Sequence, residues 1–185
     1  IKRKTEQLNN LRFAKQIKTP EVLFTKDSTT LYMYIEKSKS NTFDGFLGFG
    51  TNEQSNKLVF NGYLNLNLTN NLNYGESFSL LYKSNQNQQK KFEANATLPY
   101  LFNTPVGVDF QLHIFKQDST FTTVDQTAKV HYQINANHNV FTGIKSTQSN
   151  NLLNEIQTTN ITDYNTNFVT FGYQYIKPQR YNLLF

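Results

Sequence analysis

Residues 58–68 read LVFNGYLNLNL, in which every second residue from Leu58 is apolar or glycine and the residues between them include Asn61, Asn65 and Asn67. Leu64 and Leu66 fall on one side of an extended chain and Asn65 and Asn67 on the other, because successive side chains of a β-strand point to opposite faces. The stretch is also longer than the five or six residues of an average strand. It therefore predicts a long β-strand with one apolar face and one face of amides.

The same alternation recurs over residues 43–175, so about eight strands are predicted. Turn-like residues separate them, such as Asn70-Asn71 and Asn103-Thr104-Pro105. Besides residues 58–68, strands are predicted at about 43–51, 77–82, 92–100, 108–114, 128–136, 139–147 and 169–175. The polar stretch 147–167 is expected to form an exposed loop.

The composition indicates ordered β-structure. Aromatic residues make up 15% of the chain, which a disordered chain would lack. No run approaches the roughly 18 apolar residues of a membrane-spanning helix. The N-terminal residues do not form a signal peptide, so the chain is expected to come from a longer precursor or a longer protein. The absence of cysteine excludes a disulfide framework and thiolate metal sites.

The net charge of +5 is carried entirely by the first forty residues, since the remaining chain has equal numbers of basic and acidic residues. No nucleic-acid-reading motif accompanies this basic segment. It is therefore interpreted as a solvated basic surface, and no nucleic-acid partner is expected.

Residues 1–40 predict one helix and one hairpin. Thr5 can cap a helix whose apolar residues run to Ile17, and Thr19-Pro20 would end it. Val22–Phe24 and Thr30–Glu36 follow as strands around a turn. Leu31, Met33 and Ile35 share one face of the second strand by alternation. Together with Val22 and Phe24 of the first strand they are the apolar residues of this hairpin. Such a unit is too small to be stable alone, so it is predicted to be the back half of an α+β module.

Three features of the later strands favour a transmembrane β-barrel. Their polar face has amides or charges at nearly every position, as a wet lumen permits, and their apolar face is nearly free of charge. Aromatic residues such as Tyr74, Tyr100 and Phe141 lie near predicted strand ends, which is typical of the girdles at a membrane interface. The alternative is a soluble β-sandwich with one Asn-rich solvated face.

The order of segments resembles the BamA/TamA superfamily of outer-membrane assembly and secretion barrels. Residues 31–41 (LYMYIEKSKSN) lead directly into residues 43–50 (FDGFLGFG), and LPYLF follows at residues 98–102. In that family a small periplasmic POTRA module precedes a barrel of sixteen strands. The resemblance implies that residues 1–40 are the C-terminal half of a POTRA module and that residues 41–185 are the N-terminal half of the barrel. The family's Arg-Gly-Phe/Tyr motif has no match here.

In the resembling family the first barrel strand pairs weakly with the last, and the seam can open sideways. The resemblance implies such a lateral-gate strand at residues 43–51, since glycine weakens a strand and lets another backbone come close. The gate residues are Phe43, Asp44, Gly45, Phe46, Gly48, Phe49 and Gly50. The alternative is that these glycines only relieve crowding where the sheet bends.

The resemblance implies a non-enzymatic function, namely the assembly and insertion of β-barrel proteins into the outer membrane of a Gram-negative-type bacterium. Residues 1–40 would lie in the periplasm, and their strands Val22–Phe24 and Leu31–Ile35 would bind unfolded outer-membrane clients by strand addition. Outer-membrane lipids and accessory periplasmic lipoproteins are the further partners expected, and no cofactor is.

Three alternatives remain open at this point. They are a two-partner-type secretion pore of the same superfamily, a secreted glycan-binding β-sandwich and a barrel fused to an upstream enzyme domain. No metal site is expected, because His113, His131 and His138 lack metal-ligand spacing. Asp109 and Asp125 have no evident acid/base partner in the sequence, so no catalytic residue is predicted.

Overall fold

A computed structural model of the chain shows two antiparallel β-sheets and one short 3₁₀ turn, Leu101–Asn103. It describes residues 11, 13–51, 58–85, 89–117, 120–135, 137–152 and 163–176. The strands are β1 Ala14–Phe24, β2 Thr29–Lys37, β3 Thr42–Thr51, β4 Leu58–Thr69, β5 Ser77–Ser84, β6 Gln89–Leu98, β7 Val106–Gln117, β8 Phe121–Gln133, β9 His138–Asn151 and β10 Tyr164–Tyr175. Within these ranges no helix has the length and apolar character needed to cross a bilayer.

The larger sheet contains eight strands, β3 to β10, and every strand pairs with its neighbour in the chain. The predicted number of strands and their antiparallel order are therefore confirmed. Among the described residues, β3 and β10 form the two edges and the sheet is not closed. We call the end at which β3 begins the hairpin end, because β1 and β2 precede it there, and the opposite end the loop end.

Continuous register keeps the two faces of this sheet distinct. Paired residues lie on the same face, and one row of pairs crosses six strands without a break. That row consists of Phe78, Ala96, Phe110, Ala128, Ile144 and Val169. The row next to it on the other face contains Thr97, Asp109 and Lys129. We call these the apolar face and the amide face.

The apolar residues form a band that crosses the strands obliquely. One row is apolar on β5 to β7 and polar on β8 to β10: Leu80, Ala94, Leu112, Gln126, Ser146 and Asn167. Nearer the hairpin end, a row that reaches β10 is apolar or aromatic throughout: Val106, Tyr132, Val140 and Tyr173. The row next to that of Leu80 toward the loop end is apolar or aromatic on β5 to β8 and polar on β9 and β10: Tyr82, Phe92, Ile114, Val124, Gln148 and Asn165. The loop-end limit of the apolar residues therefore lies about two rows nearer the hairpin end on β9 and β10 than on β5 to β8. The band is thus oblique to the strands, as the apolar band of a barrel with tilted strands is.

The predicted helix over residues 5–17 is wrong at residues 14–17, which belong to β1, while residues 5–10 lie outside the described residues. Pairing with β2 overrides the local helical spacing, and Lys15 lies opposite Glu36 with an ion pair of 3.1 Å. Pro20 lies within β1 at a shift of register between Lys18 and Glu21, where its missing N–H is tolerated. The predicted turn before β2 is present, with the Thr25 N–H donating to the Ser28 carbonyl at 2.8 Å.

Several predicted strand ends differ from the structure. β6 ends at Leu98, so Tyr100 lies beyond it, and β8 begins at Phe121 and ends at Gln133. The predicted loop over residues 147–167 is wrong at both ends, since β9 runs to Asn151 and β10 starts at Tyr164. Residues 153–162 lie outside the described part. The alternation of apolar and polar residues stops where the oblique band leaves β9 and β10, although the backbone ladder continues.

The turn between β4 and β5 is organised by Glu76. Its carboxylate accepts the backbone N–H groups of Leu72 at 2.6 Å and Tyr74 at 3.0 Å. The Asn70 side chain accepts the Gly75 N–H at 2.8 Å, and Asn70, Asn73 and Gly75 all have positive φ. Burial opposes ionisation of Glu76, but the backbone hydrogen bonds outweigh it and lower the pKa of this carboxyl.

We expect Glu76→Gln to destabilise the turn by about 1 kcal/mol, because an amide oxygen accepts N–H groups less strongly than a carboxylate. Since the folded pKa is lowered, the stabilisation is complete above the ordinary value of 4.5 and is lost as pH falls through the lowered pKa. Urea unfolding of the detergent-refolded chain at neutral and acidic pH measures this. Asp27→Asn, in the turn before β2, is the control. An unchanged acid dependence in Glu76→Gln would contradict the assignment.

Candidate functional site

The predicted gate strand, β3, is an edge of the larger sheet. Among the described residues it pairs only with β4, from Thr42 opposite Asn67 to Thr51 opposite Leu58. Phe43, Phe46 and Phe49 are 70%, 68% and 79% exposed. The backbone groups of β3 that face away from β4 thus have no strand partner among the described residues, which makes β3 an edge strand.

The glycines of β3 do not share one role. A Cβ at Gly45 would lie 3.0 Å from the Tyr63 carbonyl oxygen, so close packing against β4 favours glycine there. A Cβ at Gly48 would meet nothing nearer than 3.8 Å, and one at Gly50 would meet nothing within 4 Å. Crowding within the described structure therefore accounts for Gly45 but not for Gly48 and Gly50. These two weaken the edge strand without serving its packing on β4.

The sequence analysis missed the glycine that close approach does require, Gly62 on β4. Its φ is +132°, and a Cβ there would lie 2.0 Å from the Phe46 carbonyl oxygen. Gly62 pairs with Leu47, so it fixes the way in which β4 packs against the predicted gate strand. The available signal was an isolated glycine inside a strand pattern, which often marks close backbone approach.

Asp44, another predicted gate residue, is held by β4. The Tyr63 hydroxyl donates to both Asp44 carboxylate oxygens at 3.2 Å. This contact lies on the amide face, near the hairpin end of β3. It ties β3 to β4 and leaves the outer edge of β3 uncovered by described residues.

The predicted client-binding residues lie together on one face of the β1–β2 hairpin. Val22 pairs with Leu31, and Phe24 and Ile35 are 75% and 48% exposed. The hairpin is a two-stranded sheet, so among the described residues both of its outer edges are unpaired. The structure thus places these residues on a hairpin whose apolar face and edges are incompletely covered by the described residues.

The opposite face of the hairpin carries a polar cluster. The Lys18 ammonium contacts the Glu21 carboxylate, and the Tyr34 hydroxyl donates to Glu21 at 2.7 Å. The hydrogen bond from Lys18 lowers the pKa of Glu21, and the hydrogen bond to Glu21 raises the pKa of Tyr34. All three groups are solvent-accessible, so this cluster leaves the apolar face as the surface suited to an apolar partner.

A short linker joins the hairpin to the gate strand. The Asn41 side chain accepts the Thr69 N–H at 2.8 Å and donates to the Asn71 side chain at 2.7 Å. A cleft of about 700 Å³ lies between the hairpin and the turns of the hairpin end. Its lining includes Phe13, Met33, Tyr74, Tyr100, Pro105 and Ile134. Only Met33 among the predicted client-binding residues lines it.

The amide face carries a charged network that the sequence did not reveal. His131 lies 2.8 Å from the Asp109 carboxylate, and His113 lies 3.5 Å from Asp125 and 3.7 Å from Glu93. Asp109 and Asp125, which have no evident acid/base partner in the sequence, thus each contact a histidine in the structure. Each pairs with a histidine of a neighbouring strand, which only the register of β7 and β8 brings near. No group of three or more such side chains among the described residues is arranged to hold a metal ion.

Comparisons with known proteins give a limited result. No family model matches the chain, and no curated protein matches it. One solved structure that is similar is the crystal structure of BamA from Haemophilus ducreyi lacking POTRA domains 1–3, with 14% sequence identity and a TM-score of 0.47. The similarity covers 97% of this chain, which spans 38% of the length of that one. A likeness at this level does not establish function, so function is argued from the geometry.

We expect Gly62→Ala to cost at least about 2 kcal/mol of unfolding free energy, because the methyl group would meet backbone atoms at a strained φ. Gly50→Ala is the matched control, and there we expect no loss or a gain of about 0.5–1 kcal/mol. Denaturant unfolding of both variants measures the difference. Equal effects at the two positions would show that β3 and β4 do not pack in this way.

Proposed function

We propose that the eight-stranded sheet is part of a transmembrane β-barrel, with its apolar face in lipid and its amide face against water. The observation that carries this proposal is the oblique apolar band. Strands that cross a bilayer at the tilt of a barrel require such a band, because the hydrocarbon layer lies perpendicular to the barrel axis and not to the strands.

Exposure supports the same orientation. Phe110, Val130 and Ile144, in the middle of the apolar face, are 50%, 49% and 63% exposed. His131 and Ser149, on the amide face, are 9% and 5% exposed. In a soluble β-sandwich the apolar face would be covered by a second sheet, but no described residue packs across this one. Lipid is the solvent in which this arrangement is stable.

Within this barrel, we propose that β3 is a lateral gate and that the protein inserts β-barrel clients into an outer membrane. The open edge of β3 supports this, together with Gly48 and Gly50, which packing does not require. The β1–β2 hairpin would lie in the periplasm and receive unfolded clients on its uncovered face and edges. Strand addition needs no catalytic residue or cofactor, so the proposed function is not enzymatic.

A two-partner-type secretion pore is the second candidate. The charged amide face would suit a water-filled channel. A pore needs a stable wall, however, whereas Gly48 and Gly50 weaken the edge strand without a packing reason. This feature favours insertion over export through the lumen.

Single tryptophan substitutions at adjacent positions test the orientation of the sheet, since the chain has no native tryptophan. Phe110→Trp lies on the apolar face and Gln111→Trp on the amide face of the same strand, β7. In vesicles we expect brominated acyl chains to quench the indole fluorescence of Phe110→Trp several-fold more strongly than that of Gln111→Trp. Aqueous iodide should show the reverse order. Water-soluble protein in which neither indole meets lipid would favour the sandwich.

Alanine substitutions test the gate. Together, Gly48→Ala and Gly50→Ala should stabilise β3 by about 1–2 kcal/mol and reduce the open population roughly tenfold. We expect a correspondingly slower insertion of a β-barrel client into vesicles that contain the protein, followed by protease protection of the client. Thr142→Val, on the exposed apolar face of β9, is the control for stabilisation away from the edge. Unchanged insertion by the double variant would contradict gating by β3.

A further inference from the structure

Two lysines lie directly opposite each other on the apolar face. Lys90 of β6 pairs with Lys116 of β7. Among the residues of β3 to β10 whose side chains the structure describes, they are the only Asp, Glu, Lys or Arg residues on this face. Both are exposed, and neither has an ion-pair partner within the described ranges. Like charges directly opposite each other destabilise a strand pair, so a bound anion between the two lysines would stabilise the pairing of β6 with β7.

The lysines lie at the loop-end margin of the apolar band. In the next row toward the hairpin end, Phe92 pairs with Ile114 and with Tyr82. That row lies about 7 Å from the lysines along the strands. A lysine in this position can lay its methylene chain on the apolar row and place its ammonium at the depth of the lipid headgroups.

The row of the lysines continues as a polar ledge. On one side it continues to Thr122 of β8 and Asn150 of β9, and on the other to Ser84 of β5. Thr122 and Asn150 offer a hydroxyl and an amide that can donate hydrogen bonds, whereas Ser84 is buried and donates to Asn61. The row contains no carboxylate. The ledge therefore combines two positive charges with neutral donors, which is the chemistry that a phosphate group requires.

We infer that Lys90 and Lys116 hold the phosphate of a lipid headgroup in the membrane leaflet at the loop end of the sheet. This inference rests on the proposed orientation of the barrel. A membrane lipid is favoured over free phosphate because Phe92 and Ile114 lie next to the ledge and can contact the acyl chains of the same molecule. A phosphate between the two ammonium groups also removes their repulsion and links β6 to β7.

The test uses the protein in vesicles of phosphatidylcholine alone, of phosphatidylcholine with phosphatidic acid, and of phosphatidylcholine with oleate at equal negative charge. After mild extraction, native mass spectrometry counts the retained lipids. We expect phosphatidic acid to be retained in preference to both others, and roughly tenfold less of it in the Lys90→Gln/Lys116→Gln variant. Lys83→Gln/Lys91→Gln is the matched control, because Lys83 and Lys91 pair directly on the amide face of β5 and β6.

The inference is overturned if the Lys90→Gln/Lys116→Gln variant retains phosphatidic acid like the unmodified protein, or if the control variant loses as much. It is also overturned if oleate is retained equally well, which would indicate charge alone, or if inorganic phosphate readily displaces the lipid, which would indicate a free anion. Lipid quenching of the Phe110→Trp variant in phosphatidylcholine vesicles distinguishes failure of the proposed barrel orientation from failure of the lysine site. If that quenching is absent, the proposed barrel orientation is rejected. If it is present and the lipid is not retained, only the lysine site is rejected.

Discussion

The unbroken antiparallel register from β3 to β10 is the constraint on which the other features depend. Because side chains alternate with a period of two, a slip of one residue in any ladder would exchange the apolar and amide faces of that strand. Such a slip is opposed where a large side chain of one strand packs against a glycine of the neighbouring strand. A Cβ at Gly107 would lie 2.2 Å from His131, and one at Gly172 would lie 2.2 Å from the Phe141 ring. Only glycine admits these rings, so the pairings β7–β8 and β9–β10 are fixed by shape as well as by hydrogen bonds.

Register also explains how the amide face accommodates its charges. Lys91, Glu93, His113, Asp125 and Lys145 follow one another across β6 to β9 with contacts of 2.7–3.9 Å. Positive and negative groups alternate along this path when His113 is protonated. Pairs of this kind contribute little to stability where water reaches them. Their effect is to balance charge along the amide face.

The features that depend on the alternation of side chains could be predicted from the sequence. The contacts that depend on which strands pair, and in which register, could not. The number of strands and the assignment of Leu64 or Phe110 to one face follow from a period of two, which the residues themselves display. The contact of Asp109 with His131 joins residues far apart in the chain, and only the register brings them together. At residues 14–17 a local helical spacing was present, but pairing with β2 decided the structure. The turn residues and Gly62 depend on backbone angles that composition alone does not fix.

Among the described residues, β3 and β10 are unpaired on their outer sides, and such edges are more costly in lipid than in water. An unpaired backbone N–H or C=O in hydrocarbon costs several kcal/mol, so in a bilayer the outer edges of β3 and β10 must be paired with other strands. The seam that opens most readily is then the one whose edge strand loses the least contact energy when the two strands separate. Both edge strands present exposed aromatic residues, such as Phe46 on β3 and Phe171 on β10. They differ in glycine: β3 contains Gly45, Gly48 and Gly50, whereas β10 contains Gly172 alone. In a bilayer, the higher glycine content of β3 would lower the cost of separating this edge, which is consistent with the proposed gate.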